Sequence, residues 1–346
     1  MKQIRKLFSN YVFNGLLGLF LSGLIVYLII HENPSEIFER VIHADRGWLF
    51  FIVVLVVANR VLSGAAITLE CHLSRPSYAF YQGVENAFVG GLFNEITPSA
   101  SGGQFAQIYL FKKQGVSVSE SAGILWMNFI IYQTTMVIVT AVLLVVKLPF
   151  FLRHYSHFFL IVPFGFLVNA AVILGLFALV KFPKYYSWLS TAGIHLGHKL
   201  HLIQNEAHAV ELLNGQLERF QAEIAILSSH RRMAFTVAAI HFLRLVLYFS
   251  VPYFCACALR ISCPSSMLLD MITLSSFVSM VNAFVPLPGA SGGTEASFLL
   301  MFGTILSRQA VRPVMLVWRF MTYYFDMCLG AIIFLIAKNR RTKAEV

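Results

Sequence analysis

Residues 288–295 read Pro-Gly-Ala-Ser-Gly-Gly-Thr-Glu and interrupt a strongly apolar part of the chain. Residues 98–104 read Pro-Ser-Ala-Ser-Gly-Gly-Gln, and aligning Ser101 on Ser291 gives an offset of 190 residues (291 − 101). We call these stretches the first break (98–104) and the second break (288–295). A proline-led, glycine-rich interruption that occurs twice indicates an internal repeat.

The composition places both breaks in a membrane protein. Of the 346 residues, 58% are hydrophobic and 12% are charged, about half of the roughly 25% charge of soluble domains. We therefore predict an all-α polytopic membrane protein, with residues 1–346 forming a single integral membrane domain. The net charge of +10 is expected in cytoplasmic loops that face anionic lipid, and no basic run interleaved with aromatic residues indicates nucleic-acid binding.

Six apolar segments are long enough to cross a hydrocarbon core of about 30 Å. These predicted full spans are residues 12–30, 48–69, 118–146, 157–180, 233–259 and 311–337. Two weaker segments, 77–93 and 267–284, each lead into a break and a short helix, which predicts two re-entrant helical hairpins. The alternative is that both weak segments cross the membrane fully.

Residues 181–232 are polar but carry an apolar stripe at helical spacing. The pattern predicts an amphipathic cytoplasmic segment that lies on the membrane surface or on the helix bundle. A dimerising coiled coil, and hence a homodimer, is the alternative.

The spans and breaks predict repeat 1 at about 48–146 and repeat 2 at about 233–337. Matched positions are Arg60 with Arg244, Trp126 with Trp318 and Tyr132 with Tyr324. Basic residues near both ends of the chain place both termini in the cytoplasm. The first hairpin then enters from the cytoplasm and the second from outside, so the repeats are inverted, as is typical of transporters with broken helices.

The breaks also predict a binding site. Pro98 and Pro288 end the preceding helices, and the helix N-termini that follow offer free N–H groups to an anion. A charged residue within a span faces a partner or a water-filled cavity. We predict a site for a lipid phosphate made of Arg60, Arg244, Ser101, Gly102, Gly103, Ser291, Gly292 and Gly293. Internal salt bridges are the alternative for the two arginines.

Two glutamates are predicted to recognise the lipid headgroup. Glu295 has no acidic counterpart, because Phe105 occupies the matched position, whereas Glu95 precedes the first break. A carboxylate there suits an ammonium-bearing headgroup or a proton-coupled step, or else forms an ion pair.

We predict no metal site, because His195, His198 and His201 have no carboxylate at matching spacing. We also predict no cofactor and no catalytic residue, since the chain has no nucleotide-binding loop and neither Ser101 nor Ser291 lies in a G-x-S-x-G elbow.

Residues 94–104, followed by Ile108-Tyr109 and Lys112-Lys113-Gln114-Gly115, resemble a known family, and so do residues 286–295. The chain is similar, from about residue 10 to 338, to the lysylphosphatidylglycerol synthase transmembrane-domain family, the flippase-like membrane part of multiple peptide resistance factors. The resemblance implies a bacterial plasma membrane protein that translocates an anionic or aminoacylated phospholipid such as lysyl-phosphatidylglycerol. Such activity supports envelope charge and resistance to cationic antimicrobial peptides.

In the full-length factors a soluble aminoacyltransferase domain follows the membrane part. Here nothing domain-sized follows Ala337, so we expect a stand-alone member without that enzymatic activity. One alternative is the phosphatidylglycerol lysyltransferase that the family name implies. Another is a non-transporting scaffold for a separate aminoacyltransferase or envelope enzyme.

Overall fold

The structure is a computed structural model that describes residues 39–154 and 229–339 apart from 283, 284 and 286, together with Gly23, Tyr27 and Ala225. Every regular element in these ranges is helical. The first half holds α1 (Arg46–Cys71), α2 (Phe80–Ile96), α3 (Gly102–Lys113), α4 (Val118–Val146) and α5 (Leu148–His154). The second half holds α6 (Arg231–Ala258), α7 (Met267–Asn282), α8 (Gly293–Phe302), α9 (Arg308–Arg319), a π-helical turn (Phe320–Phe325) and α10 (Asp326–Asn339).

Within the described residues, four helical stretches are long and apolar enough to cross a membrane: Arg46–Cys71, Val118–Val146, Arg231–Ala258 and Arg308–Asn339. They coincide with the predicted spans 48–69, 118–146, 233–259 and 311–337, which confirms a multi-pass helical membrane protein. The predicted spans 12–30 and 157–180, most of the segment 181–232 and residues 340–346 lie outside the described residues.

Local sequence explains where these long helices begin. The Asp45 carboxylate accepts hydrogen bonds from the N–H groups of Gly47 and Trp48 at 2.8 and 3.2 Å, which caps α1. Ser117 caps α4 in the same way, and Glu120 closes a capping box with it. Both helices therefore start on a polar residue just before the apolar run.

The two weak segments are helices shorter than the four long apolar helices of the described residues. α2 has 17 residues and α7 has 16, which at 1.5 Å per residue is about 24–26 Å against a core of about 30 Å. Each is followed by a 3-10 turn at the break, Pro98–Ala100 or Pro288–Ala290, and by a short helix. The order of elements is therefore the same in both halves.

α1 packs along α6 and α2, and the two breaks pack against each other. The contact between α1 and α2 depends on Gly64, where an added Cβ would lie 2.5 Å from Cα of Val84. In the second half, stacked rings of Phe298, Phe302 and Trp318 fill the space between α8 and α9. This close packing brings residues from both halves around one cavity.

Candidate functional site: a charged cavity between the two halves

A cavity of about 280 Å³ lies where the two halves meet. Helices α1, α2, α4, α6, α7 and α10 and the π-helical turn all contribute to its wall. The lining residues are Val56, Asn59, Arg60, Glu95, Tyr132, Arg244, Leu245, Tyr248, Ser279, Asn282, Thr322 and Asp326. Ligand pockets usually have about 300–1,000 Å³, so this cavity suits a headgroup and not whole acyl chains.

On one wall, Arg60 is held by two carboxylates. Its Nε lies 3.0 and 2.8 Å from the two oxygens of Asp326, and Nη2 donates to Oε1 of Glu95 at 2.9 Å. Nη2 also contacts Asp326 Oδ2. An added Cβ at Gly91 would overlap the guanidinium, so glycine at this position makes room for it. Arg60 therefore joins α1, α2 and α10 in one charged cluster.

Arg244, on another wall, has neutral neighbours. Its Nη1 lies 2.9 Å from Nδ1 of His241, and its guanidinium lies 5.4 Å from the ring centroid of Tyr132. Among the described residues no carboxylate forms an ion pair with Arg244. Its positive charge is thus available to an anion in the cavity.

Three buried polar atoms on residues that line this cavity have no hydrogen-bond partner among the described residues. They are Nε of Arg244, Oε2 of Glu95 and Oδ1 of Asn282. A buried polar atom without a partner costs about 1–3 kcal/mol. The space is thus lined by one positively charged hydrogen-bond donor, Arg244, and by two acceptors, Glu95 and Asn282. This set matches a ligand that carries both a negative group and N–H groups.

The first break supplies its own partners for the helix N-terminus that follows it. The N–H of Gly102 donates to Oγ1 of Thr97 at 2.8 Å, and the N–H of Gly103 donates to Oδ1 of Asn94 at 3.1 Å. Ser101 is the N-cap residue, but its hydroxyl donates back to the carbonyl of Pro98 at 2.9 Å. These neutral side chains already occupy two of the N–H groups predicted for phosphate.

The second break is held by a buried ion pair instead. Oε2 of Glu295 accepts from the N–H of Gly292 at 2.6 Å, and Oε1 lies 2.8 Å from Nε of Arg319. Nη2 of Arg319 donates to the carbonyl of Gly289 at 2.7 Å, and its guanidinium lies 4.1 Å from the ring centroid of Tyr323. The carboxylate of Glu295 therefore points at its own helix N-terminus.

The N-cap of α8 is Gly292 and not Ser291, so the second helix begins one residue later than the repeat predicts. The hydroxyl of Ser291 donates to the carbonyl of Pro288 at 2.9 Å, as Ser101 does to Pro98. Gly293 is the first residue of α8, and its added Cβ would overlap Val285.

Both breaks share an uncommon backbone conformation. Two consecutive residues have positive φ in each: Ser99 and Ala100 at 53° and 52°, Gly289 and Ala290 at 58° and 50°. Left-handed geometry costs non-glycine residues roughly 1–2 kcal/mol, and such strain is stored preferentially at functional sites. The hydroxyl of Tyr323 donates to the carbonyl of Glu95 at 3.3 Å and so links the second break to the cavity wall.

The structure brings some predicted site residues together and leaves others apart. Arg60, Arg244 and Glu95 line the cavity, whereas the serines and glycines of the two breaks and Glu295 do not. The sequence-based site omitted Asp326, although its carboxylate inside the last apolar span was the signal that could have found it. Tyr132, Tyr248 and Asn282 were also omitted, since their types are ordinary in membrane helices.

The π-helical turn explains why two charges of the last span lie on different partners. Phe320–Phe325 separates Arg319 from Asp326. Arg319 binds the second break, and Asp326 binds Arg60 in the cavity. Single π-helical turns are frequent at functional sites.

Comparison with known proteins agrees with these observations. The family model described as "Lysylphosphatidylglycerol synthase TM region" matches residues 15–330. The chain belongs to this family, and it is a multi-pass membrane protein. No curated protein matches the chain.

Proposed function

We propose that this protein binds the headgroup of an aminoacylated phospholipid, such as lysyl-phosphatidylglycerol, in the charged cavity and moves it between the membrane leaflets. One observation carries the proposal: Arg244, which has no ion-pair partner among the described residues, and Oε2 of Glu95, which has no hydrogen-bond partner among them, line the same space. The family membership supports a role connected with this lipid.

The headgroup of lysyl-phosphatidylglycerol carries one phosphate and two ammonium groups, so it needs one cationic and one anionic partner. In the proposal Arg244 binds the phosphate, since guanidinium N–H groups match phosphate oxygens well. Glu95 accepts from an ammonium group through its free Oε2. Arg60 stays between Glu95 and Asp326 and keeps both carboxylates in place.

The two breaks support the site in this proposal and reach the phosphate only if their internal hydrogen bonds open. The N–H groups of Gly102, Gly103 and Gly292 already have acceptors. The left-handed turn of the first break follows the end of α2, where Glu95 lies in the cavity wall. Ser101, Ser291 and Gly293 remain predicted contacts of a lipid that has entered further.

The same order of elements in both halves supports an inverted repeat with α2–α3 and α7–α8 as re-entrant hairpins. α2 and α7 are shorter than the long apolar helices of the described residues, and each is followed by a proline-led 3-10 turn. A cavity between the halves then opens alternately to each side as the halves rock. We propose a location in the bacterial plasma membrane with both termini cytoplasmic.

A transport assay tests the proposal. The purified protein is reconstituted into phosphatidylcholine vesicles with fluorescent lysyl-phosphatidylglycerol, and the labelled lipid in the outer leaflet is measured over time. Arg244→Ala should reduce headgroup affinity about 10- to 100-fold, since a hydrogen bond to a charged group contributes about 1.5–3 kcal/mol. Arg231→Ala is the matched control, because it removes an exposed arginine from the same helix.

A second lipid, phosphatidylglycerol, distinguishes the proposed partner of the ammonium groups, Glu95, from the proposed partner of the phosphate, Arg244. Glu95→Gln should reduce transport of lysyl-phosphatidylglycerol more than that of phosphatidylglycerol, which lacks the ammonium groups. The proposal is wrong if the unaltered protein accelerates neither lipid, or if Arg244→Ala transports like Arg231→Ala. Incorporation of lysine from charged tRNA by the purified chain would establish the lysyltransferase alternative instead.

A further inference from the structure

Glu70 is a buried carboxyl group far from the cavity. It lies one residue before the end of α1, and 0% of its surface is exposed. The apolar cluster beside it contains Ile67, Cys71, Ile124 and Leu125. The lipid site described above makes no use of it.

Among the described residues, Glu70 has one hydrogen-bond partner, and that partner is neutral. Nδ2 of Asn128, on α4, donates to its Oε2 at 2.8 Å, while Oε1 is buried and has no hydrogen-bond partner among the described residues. No cation in the described part of the chain forms an ion pair with it. A carboxylate with so little compensation is strongly disfavoured in apolar surroundings, so this packing favours the protonated acid.

The charges near this end of α1 are already paired or exposed. One such pair is Nε of Arg75 with Oε2 of Glu120, 3.1 Å apart. Further titratable or charged groups towards this end of the described elements are Cys71 on α1, His72 and Tyr78 in the following loop, Glu85 on α2, and the exposed Arg231 and Arg232 on α6. None of them forms an ion pair with Glu70 in the structure.

The contact between Glu70 and Asn128 joins two helices that also line the cavity. Arg60 lies ten residues earlier on α1, about 15 Å along the helix, and Tyr132 lies one turn beyond Asn128 on α4. An ionised Glu70 needs water or a cation close to it, and separation of α1 and α4 at this end would admit either. Because both helices also line the cavity, such a separation would move the cavity walls.

We propose that Glu70 is a proton-binding site, protonated while α1 and α4 are closed and ionised when they separate. Proton uptake and release at this carboxyl group then accompany the movement of the helices. The proton site itself stands on the packing around Glu70, whereas its link to lipid movement rests on the proposed function.

Infrared difference spectroscopy on the purified full chain tests the proton site directly. The unaltered protein should show a protonated-carboxyl band that disappears as the pH rises, and Glu70→Gln should lack that band. Glu39→Gln, which removes an exposed carboxyl group, should keep it. A band unchanged by Glu70→Gln would overturn the proposal.

A second variant tests the proposal even if Glu70→Gln folds poorly. Asn128→Leu keeps the carboxyl group but removes its only described donor, so the pH at which the band disappears should move. A spectrum identical to that of the unaltered protein would count against Glu70 as the titrating group.

Transport under a pH gradient tests the coupling. Lysyl-phosphatidylglycerol movement in the vesicles should change several-fold when the gradient is applied to the unaltered protein, and should not change for Glu70→Gln. An equal response of both proteins overturns the coupling. If the unaltered protein moves no lipid, the proposed function fails and the infrared experiment alone decides whether Glu70 binds a proton.

Discussion

Arg60 and Arg244 occupy matching places in the two halves and line one cavity, but their partners differ. Arg60 lies between the carboxylates of Asp326 and Glu95, whereas Arg244 contacts the neutral His241 and Tyr132. Paired charge holds a structure together, while unpaired charge facing a cavity is available to a ligand. Two similar sequence positions have thus acquired different roles, one structural and one suited to binding.

The two breaks also differ in whether neutral or charged side chains hold them. Neutral side chains, Asn94 and Thr97, close the helix start at the first break. A buried ion pair between Glu295 and Arg319 closes it at the second break. The ion pair of Arg60 with Asp326 at the cavity therefore joins the two halves, whereas the ion pair at the second break lies within the second half.

The largest expected effect on stability belongs to Arg60→Ala. It leaves two buried carboxylates without their cation, which should cost about 3–5 kcal/mol. The measurement is the unfolding temperature of the purified protein in detergent, compared with Arg231→Ala. If Arg60→Ala unfolds at the temperature of the control, the carboxylates of Asp326 and Glu95 do not depend on Arg60.

Glu295→Gln should have the next largest effect. The amide keeps an acceptor for the N–H of Gly292 but removes the negative charge opposite Arg319. The cost should be about 2–3 kcal/mol, because Arg319 retains the carbonyl of Gly289 and the ring of Tyr323.

A double-mutant cycle checks that this cost comes from the ion pair. Glu295→Gln combined with Arg319→Gln should cost clearly less than the sum of the single changes, since contacting residues couple. Strict additivity would mean that the two side chains stabilise the second break independently.

Thr97→Val should have a smaller effect at the first break. The change keeps the shape but removes the hydroxyl that accepts from the N–H of Gly102, and loss of a cap costs about 1 kcal/mol. Thermal unfolding measures it, with Thr304→Val as control because Thr304 is exposed. A loss as large as that for Glu295→Gln would remove the contrast between the breaks.

Arg244→Ala should have the smallest effect on stability, although the proposed function requires it to impair lipid binding. It breaks no ion pair among the described residues, and removal of a half-buried charge that lacks a carboxylate partner there lowers the free energy cost of burial. The unfolding temperature should stay within the range of Arg231→Ala or rise. A large decrease would show that Arg244, like Arg60, is structural.

Sequence reasoning located the spans because hydrophobicity over 18 or more residues is a local property. It also selected Arg60, Arg244 and Glu95, since a charge in an apolar segment is rare enough to stand out. It could not name the partner of Arg60, because Asp326 lies 266 residues away. The repeat aligns Ser101 with Ser291, but Ser101 is the N-cap of α3 whereas Gly292, one residue after Ser291, is the N-cap of α8.

By itself, the sequence determined the class of protein, the four described membrane helices and the two proline-led breaks, because composition and backbone constraints act over short stretches. Only the tertiary structure decided that the breaks pack against each other and that, in the part of the chain it describes, Arg244 forms no ion pair while Arg60 forms two. It also decided that Glu295 binds Arg319 and not the cavity. Ion pairing depends on distances between residues far apart in the chain, and those distances exist only once the helices have packed.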